Sequence, residues 1–279
     1  MWLSLAFLSA ALLGLYDVAK KYSLRENAVI PVLFCNTLFC ALIFLPFIVA
    51  SHTGILGSES LLCVDNWQWH EQRFIVLKSF IVLSSWILGY YGIKHLPITI
   101  VGPVNATRPV LTLLGALIIF GERLNGWQWA GVLLAVTSFY MLSRSGKKEG
   151  IRFSHNRWIY YLVAAALLGA VSGLYDKFLM SPTGAGIRAI TVQCGYNFYQ
   201  CVIMGIVLLV VWLPQRKASP FRWRWSIMLI SVTSMVGRGS VIVSFCFGAM
   251  IFREKNLRSK AVDLCLVLLS MACLWIGGH

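Results

Sequence analysis

The chain has 279 residues, 58% hydrophobic and 12% charged, against roughly 45–50% and about 25% in ordinary soluble domains. That composition excludes a water-soluble globule and points to a polytopic membrane protein. The net charge of +14 would suggest a nucleic-acid partner in a soluble chain. Here the basic residues fall between apolar runs, where the preference of Lys and Arg for cytoplasmic loops explains them, so no nucleic acid is expected.

Met1 to Ala19 is apolar and lacks the basic leader and small-residue cleavage site of a signal peptide. It reads as a retained first span with an external N-terminus, followed by Lys20, Lys21 and Arg25 on the cytoplasmic side. Further spans are expected at about 29–50, 75–93, 98–120, 126–142, 158–180, 190–213, 225–252 and 259–277, nine crossings in all. Loops one, three, five and seven carry Lys20, Lys21, Arg25, Lys94, Arg144, Lys147, Lys148, Arg152, Arg157, Arg216, Lys217, Arg222 and Arg224; loops two, four and six carry Arg73, Arg123 and Arg188, while the segment after span eight is basic again (Arg253, Lys255, Arg258, Lys260) and conflicts with a single crossing there. The odd-numbered loops therefore belong in the cytoplasm of a cell (plasma or inner) membrane. Trp67, Trp69, Trp127 and Trp129 would form an external aromatic belt, and Trp158, Trp223 and Trp225 an internal one.

The fourth span is broken by its own residues. Gly102, Pro103, Asn105, Arg108 and Pro109 lie halfway along it. A cation at that depth costs at least about 2.5 kcal/mol on insertion scales, and Pro loosens a helix and frees carbonyls that need partners. Such a patch marks a site rather than a packing surface.

The chain also repeats itself. Gly14-Leu-Tyr-Asp17 in span one returns as Gly173-Leu-Tyr-Asp176 in span six, an offset of 159 that also pairs Cys35 with Cys194 and Phe39 with Phe198. Phe120-Gly-Glu122 returns as Phe252-Arg-Glu254, now at an offset of 132. Repeats of five spans, an odd number, must be inverted relative to each other, an architecture of secondary transporters. The drop in offset by 27 residues means that about one span is missing from the second half near 230–234, or that 225–252 is one long tilted helix.

Phe120-Gly-Glu122-Arg-Leu followed by Trp127-Gln-Trp-Ala-Gly131 and another span resembles the EamA-like members of the drug/metabolite transporter superfamily. The resemblance implies an all-α membrane bundle of two inverted five-helix repeats, here 1–143 and a shortened 158–279 joined by a basic cytoplasmic linker, 144–157. It also implies a small-metabolite permease working by alternating access, with a cavity between the repeats lined by spans one to four and six to eight. Membrane lipid and a small solute are the expected partners; a homodimer is left open.

Within that frame the substrate-binding candidates are Arg108, Asn105, Arg238, Asn36, Asn197, Tyr196 and Tyr90. The two arginines would hold a carboxylate or phosphate, unless each is tied to helix carbonyls or to an Asp. The Asn and Tyr groups line a cavity or else hydrogen-bond between helices. Tyr16, Asp17, Tyr175 and Asp176 are candidate gates, although Asp17 has Lys20 and Lys21 as neighbours at helical spacing. An anionic or zwitterionic solute follows from the arginines. Seven of the eight cysteines lie in apolar runs, and neither a CxxC nor a Cys/His cluster is present, so no metal and no cofactor are expected. No isolated Glu lies deep in a span, and no grouping of nucleophile, base and acid suggests an enzyme. The rival readings are a transport-inactive protein of the same fold and a polytopic membrane enzyme.

Overall fold

Long apolar runs in lipid must satisfy every backbone group internally, and helices do so within one segment. The computed structural model describes residues 16–55, 63–65, 68–121, 125–148, 156–181 and 184–234, and every regular element among them is a helix. They are α1 (the described part, 16–24), α2 (Val29–His52), α3 (Trp69–His95), α4 (Ile98–Ala106), α5 (Arg108–Phe120), α6 (Gly126–Lys148), α7 (Arg157–Met180), α8 (Ala189–Val207) and α9 (Ser226–Ser234). Five segments among the described residues are long and apolar enough to cross a membrane: Val29–His52, Trp69–His95, Ile98–Ile119, Arg157–Met180 and Ala189–Gln215. The chain is an all-helical, multi-pass membrane bundle.

Two boundaries differ from the sequence expectation. Helix α3 starts at Trp69 rather than near 75, because Gln68 accepts the amides of Glu71 and Gln72 (both 3.1 Å) and Glu71 sits favourably in the first turn. Lys20, counted above as a loop residue, is within α1 and only 8% exposed. Span eight is described only as far as Ser234, so the missing-helix question, the ninth span and Arg238 lie outside the described residues.

The core is built from α2, α3, α7 and α8. Small residues bring α3 and α7 together: a Cβ on Gly92 would stand 3.2 Å from Leu162 Cβ, one on Gly89 3.7 Å from that of Ala165. Ser85 Oγ donates across the same seam to the Ala165 carbonyl (2.7 Å). Helix α2 packs on α8, where Phe34 lies against Gly205.

Loops sort to two ends. At one end Lys21 Nζ donates to the final carbonyls of α3, Ile93 (2.7 Å) and Lys94 (3.3 Å), and to that of Leu96 (2.6 Å), capping orphan acceptors at a helix C-terminus. Lys94 Nζ donates to Asn27 O (2.8 Å), and Asn27 Oδ1 accepts Arg222 N (2.7 Å). His95 stacks on Trp158 at 3.6 Å. Loops one, three, five and seven thus meet at this end. At the other end Arg188 pairs with Asp65, joining loops two and six. Trp158 is packed against His95 and Tyr91 rather than standing free, whereas Trp69, Trp127, Trp129, Trp223 and Trp225 are exposed at helix ends.

Candidate functional site

The expected fourth span is two helices meeting at Thr107. Pro109 has no N–H to return to the Asn105 carbonyl, so the regular ladder fails there. Thr107 closes α4 with a short-range bond, its N–H to Val104 O at 3.2 Å and its hydroxyl to the same oxygen at 2.7 Å. Its own carbonyl then starts α5 by accepting Leu111 N (3.0 Å). Arg108 is the first residue after the break. Its Nε is shielded from solvent and has no hydrogen-bond partner among the described residues, and the same is true of Asn105 Oδ1. A donor and an acceptor, three residues apart, are left unsatisfied where a buried polar atom costs about 1–3 kcal/mol.

Gly169 of α7 makes room for this arginine. A Cβ there would stand 3.1 Å from Arg108 Cζ and Nε.

Around Arg108 the structure assembles Tyr16, Asp17 and Lys20 of α1 with Tyr90 of α3. Lys20 Nζ lies over the rings of Tyr16 (4.0 Å) and Tyr90 (4.5 Å). Asp17 and Arg108 are both within electrostatic reach of it, and Tyr16 and Asp17 within reach of Arg108. Lys20 and Asp17 are each 8% exposed, and Tyr90 is fully buried. Among these residues two cations face one carboxylate.

A second polar centre sits further along α3. Lys78, 4% exposed, pairs with Asp176 of α7 and lies 4.4 Å from the ring centre of Tyr196. Twelve residues separate Lys78 from Tyr90, about 18 Å of helix at 1.5 Å per residue. Cys40 of α2 lies between the centres, within reach of Tyr16, Tyr90 and Tyr196. Asn36, one turn before it, accepts Ser231 Oγ (3.0 Å) on Oδ1, while its buried Nδ2 has no partner among the described residues.

Of the sequence-derived candidates, Arg108, Asn105, Tyr16, Asp17 and Tyr90 thus belong to the first centre, Tyr196 and Asp176 to the second, and Asn36 to the space between. Asn197 is used locally, its Nδ2 donating to Gln193 O (2.7 Å) in its own helix. Tyr175 ties α7 to α3 through Phe74 O (3.3 Å) and stacks on Phe178. The sequence reading missed Lys78 because it started the third span near 75, which left the lysine close to an end; with α3 starting at Trp69 it lies ten residues into a 27-residue helix.

Beside the break, a groove of about 240 Å³ is walled by residues such as Val104, Leu111, Leu114, Val136 and Val163. Thr107 is the polar residue in its wall, and its hydroxyl is already bonded. It is an apolar groove, distinct from the two charged centres. Among the described residues no three His, Cys, Asp or Glu side chains converge on a metal position. At the far loop end, hydrogen bonds from Arg188 hold the Asp65 carboxyl below the usual carboxylate range.

The profile of the EamA-like transporter family matches residues 1–144, just over half of the chain. The chain belongs to the EamA-like transporter family. Among relatives, an uncharacterised transporter of Archaeoglobus fulgidus is 25% identical over 176 residues, 62% of this chain and 57% of that protein, so the match spans little more than half of the relative. An S-adenosylmethionine uptake transporter of Rickettsia prowazekii is 22% identical over 270 residues, 96% of this chain and 82% of the relative. A protein of known crystal structure superposes with a TM-score of 0.60 at 15% identity, covering 99% of this chain and 98% of its own. At that identity the likeness speaks for the fold alone.

Proposed function

We propose that this EamA-like protein is a secondary transporter that moves a small anionic or zwitterionic metabolite by alternating access. The observation that carries the reading is Arg108, half-buried at a broken mid-span helix, with an Nε shielded from solvent and unpartnered among the described residues and a surplus of one positive charge among the described residues around it. A buried uncompensated charge costs several kcal/mol, and a solute carboxylate or phosphate would relieve it while accepting the Nε–H. Asn105 Oδ1 would take a donor from the same solute. Asn36, through its open Nδ2, and Arg238 complete the candidate lining.

The two Gly-Leu-Tyr-Asp segments would serve as gates at opposite ends of the path, Tyr16 and Asp17 at one and Tyr175 and Asp176 at the other. The reading keeps two inverted repeats, 1–143 and 158–279, joined by the basic linker 144–157, in the cell membrane with the odd-numbered loops cytoplasmic. Partners are lipid and the solute, with a homodimer allowed.

Uptake into proteoliposomes tests this directly, with S-adenosylmethionine and a set of amino and organic acids as probes. Saturable accumulation by the wild type, abolished in Arg108→Gln at equal reconstitution, is expected. Unchanged uptake in that variant removes the idea. No uptake of any probe, recovered when the missing segment is grafted into the second half, would favour the transport-inactive reading.

A further inference from the structure

The second centre holds a ligand supplied by the chain itself. Resting on the transport reading, we propose that Asp176 and Tyr196 form an entry subsite for an organic cation, the ammonium end of the solute, and that Lys78 fills it until the solute displaces it.

The chemistry of the centre fits that role. A carboxylate beside an aromatic face is the combination that recognises alkylammonium groups, and Lys78 presents such a group 4.4 Å from the Tyr196 ring while paired to Asp176. Its long single-point ammonium stem can withdraw without breaking a fork of bonds, which an arginine could not do as easily.

The recurrence is the second argument. Asp17, the counterpart of Asp176 in the repeated Gly-Leu-Tyr-Asp, also has a lysine ammonium nearby on tyrosine faces, that of Lys20 over Tyr16 and Tyr90. The lysines themselves are not counterparts: the offset of 159 carries Lys20 to Leu179. Each aspartate thus draws its ammonium from an unrelated position. A strut inherited with the repeat would have kept one arrangement; here the carboxylate is constant and the cation is interchangeable.

The exchange is also charge-balanced for a zwitterion. Its ammonium replaces Lys78 on Asp176, and its carboxylate takes up the released lysine, so no charge is left buried alone. Because the Lys78–Asp176 pair joins α3 to α7, the exchange removes a tie between two core helices, and solute binding is coupled to their separation.

The test uses the purified full-length protein and methylammonium chloride, with sodium chloride as the ionic-strength control. Lys78→Ala opens the subsite, and its melting temperature is expected to rise saturably with millimolar methylammonium and not with sodium. Adding Asp176→Asn should abolish the response, and adding Tyr196→Leu should raise the required concentration about tenfold. If Lys78→Ala is recovered folded only when prepared in methylammonium, the proposal is equally supported. A folded Lys78→Ala that ignores methylammonium, or one that fails alike in both salts, overturns it. A methylammonium response without uptake of any probe would sink the transport reading and leave the cation site; uptake without the response would do the reverse.

Discussion

The two Gly-Leu-Tyr-Asp segments start from the same four residues and end in different electrostatic surroundings. Asp17 is nine-tenths buried and shares its centre with two cations, Lys20 and Arg108. Asp176 is 22% exposed at its side chain and is paired with Lys78. Among the described residues one centre carries surplus positive charge beside an unpartnered guanidinium nitrogen, and the other is balanced. Identical local sequence therefore fixed where the carboxylates stand, and the helices packed around them fixed what each carboxylate does. The proposed solute site draws on the surplus, and the proposed exchange of Lys78 on the balance.

The largest expected difference comes from removing the surplus. Arg108→Gln should abolish uptake while leaving the helical circular dichroism spectrum and membrane expression intact, and preserved uptake would place the solute elsewhere. Breaking the balanced centre should act on stability as well as on uptake. Asp176→Asn leaves Lys78 buried without its carboxylate and should cost about 3 kcal/mol, the low end for buried pairs because the site is partly open. Lys78→Met with Asp176→Asn should recover most of that loss in a denaturation series, since no charge then remains unpaired. A double variant as unstable as the single one would refute the balanced description.

A smaller effect sharpens the arginine centre. Gly169→Ala places a Cβ 3.1 Å from Arg108 Cζ and Nε, so the arginine side chain must give by a few tenths of an ångström. We expect uptake to fall with little change in melting temperature, because the flexible arginine yields before the backbone does. If melting falls while uptake is kept, Gly169 serves helix packing only. The smallest effect lies outside both centres. Asp65 titrates below the ordinary carboxylate range because Arg188 donates to it, so its contribution is complete above the unfolded value near 3.9 and is lost as the pH falls through the lower folded value. Asp65→Asn should flatten the acid limb of the melting profile slightly and leave uptake unchanged.

Much of the fold was legible because lipid imposes length and polarity rules on each span separately. The starts of α2, α6 and α7 follow from apolar runs, and the break at Thr107 follows from Pro109 and its neighbours. The charged centres were legible only in part. Asp17, Arg108 and Asp176 stand out as charges in apolar surroundings, whereas Lys20 looked like a loop residue because it follows an apolar run. Its burial depends on α1 continuing to residue 24 and on Tyr90, seventy residues away. Lys78 is defined by Asp176, 98 residues later in the chain. Asn197 shows how local the answer can be: a polar residue in an apolar span suggested a cavity or an interhelical bond, and its Nδ2 donates to Gln193 O in its own helix. Residue type announces a polar need, and only the packed partners decide whether that need is met within the chain or by a solute.

The account rests on the two aspartate centres opening in alternation, and sided labelling tests it most directly. Asp17→Cys and Asp176→Cys, each in an otherwise cysteine-free background and reconstituted in vesicles, would be treated with a membrane-impermeant thiol reagent from either side, with and without a transported probe. The account predicts that the probe moves the two labelling rates in opposite directions. Rates at both positions that ignore the probe, or that rise together from one side, would contradict it.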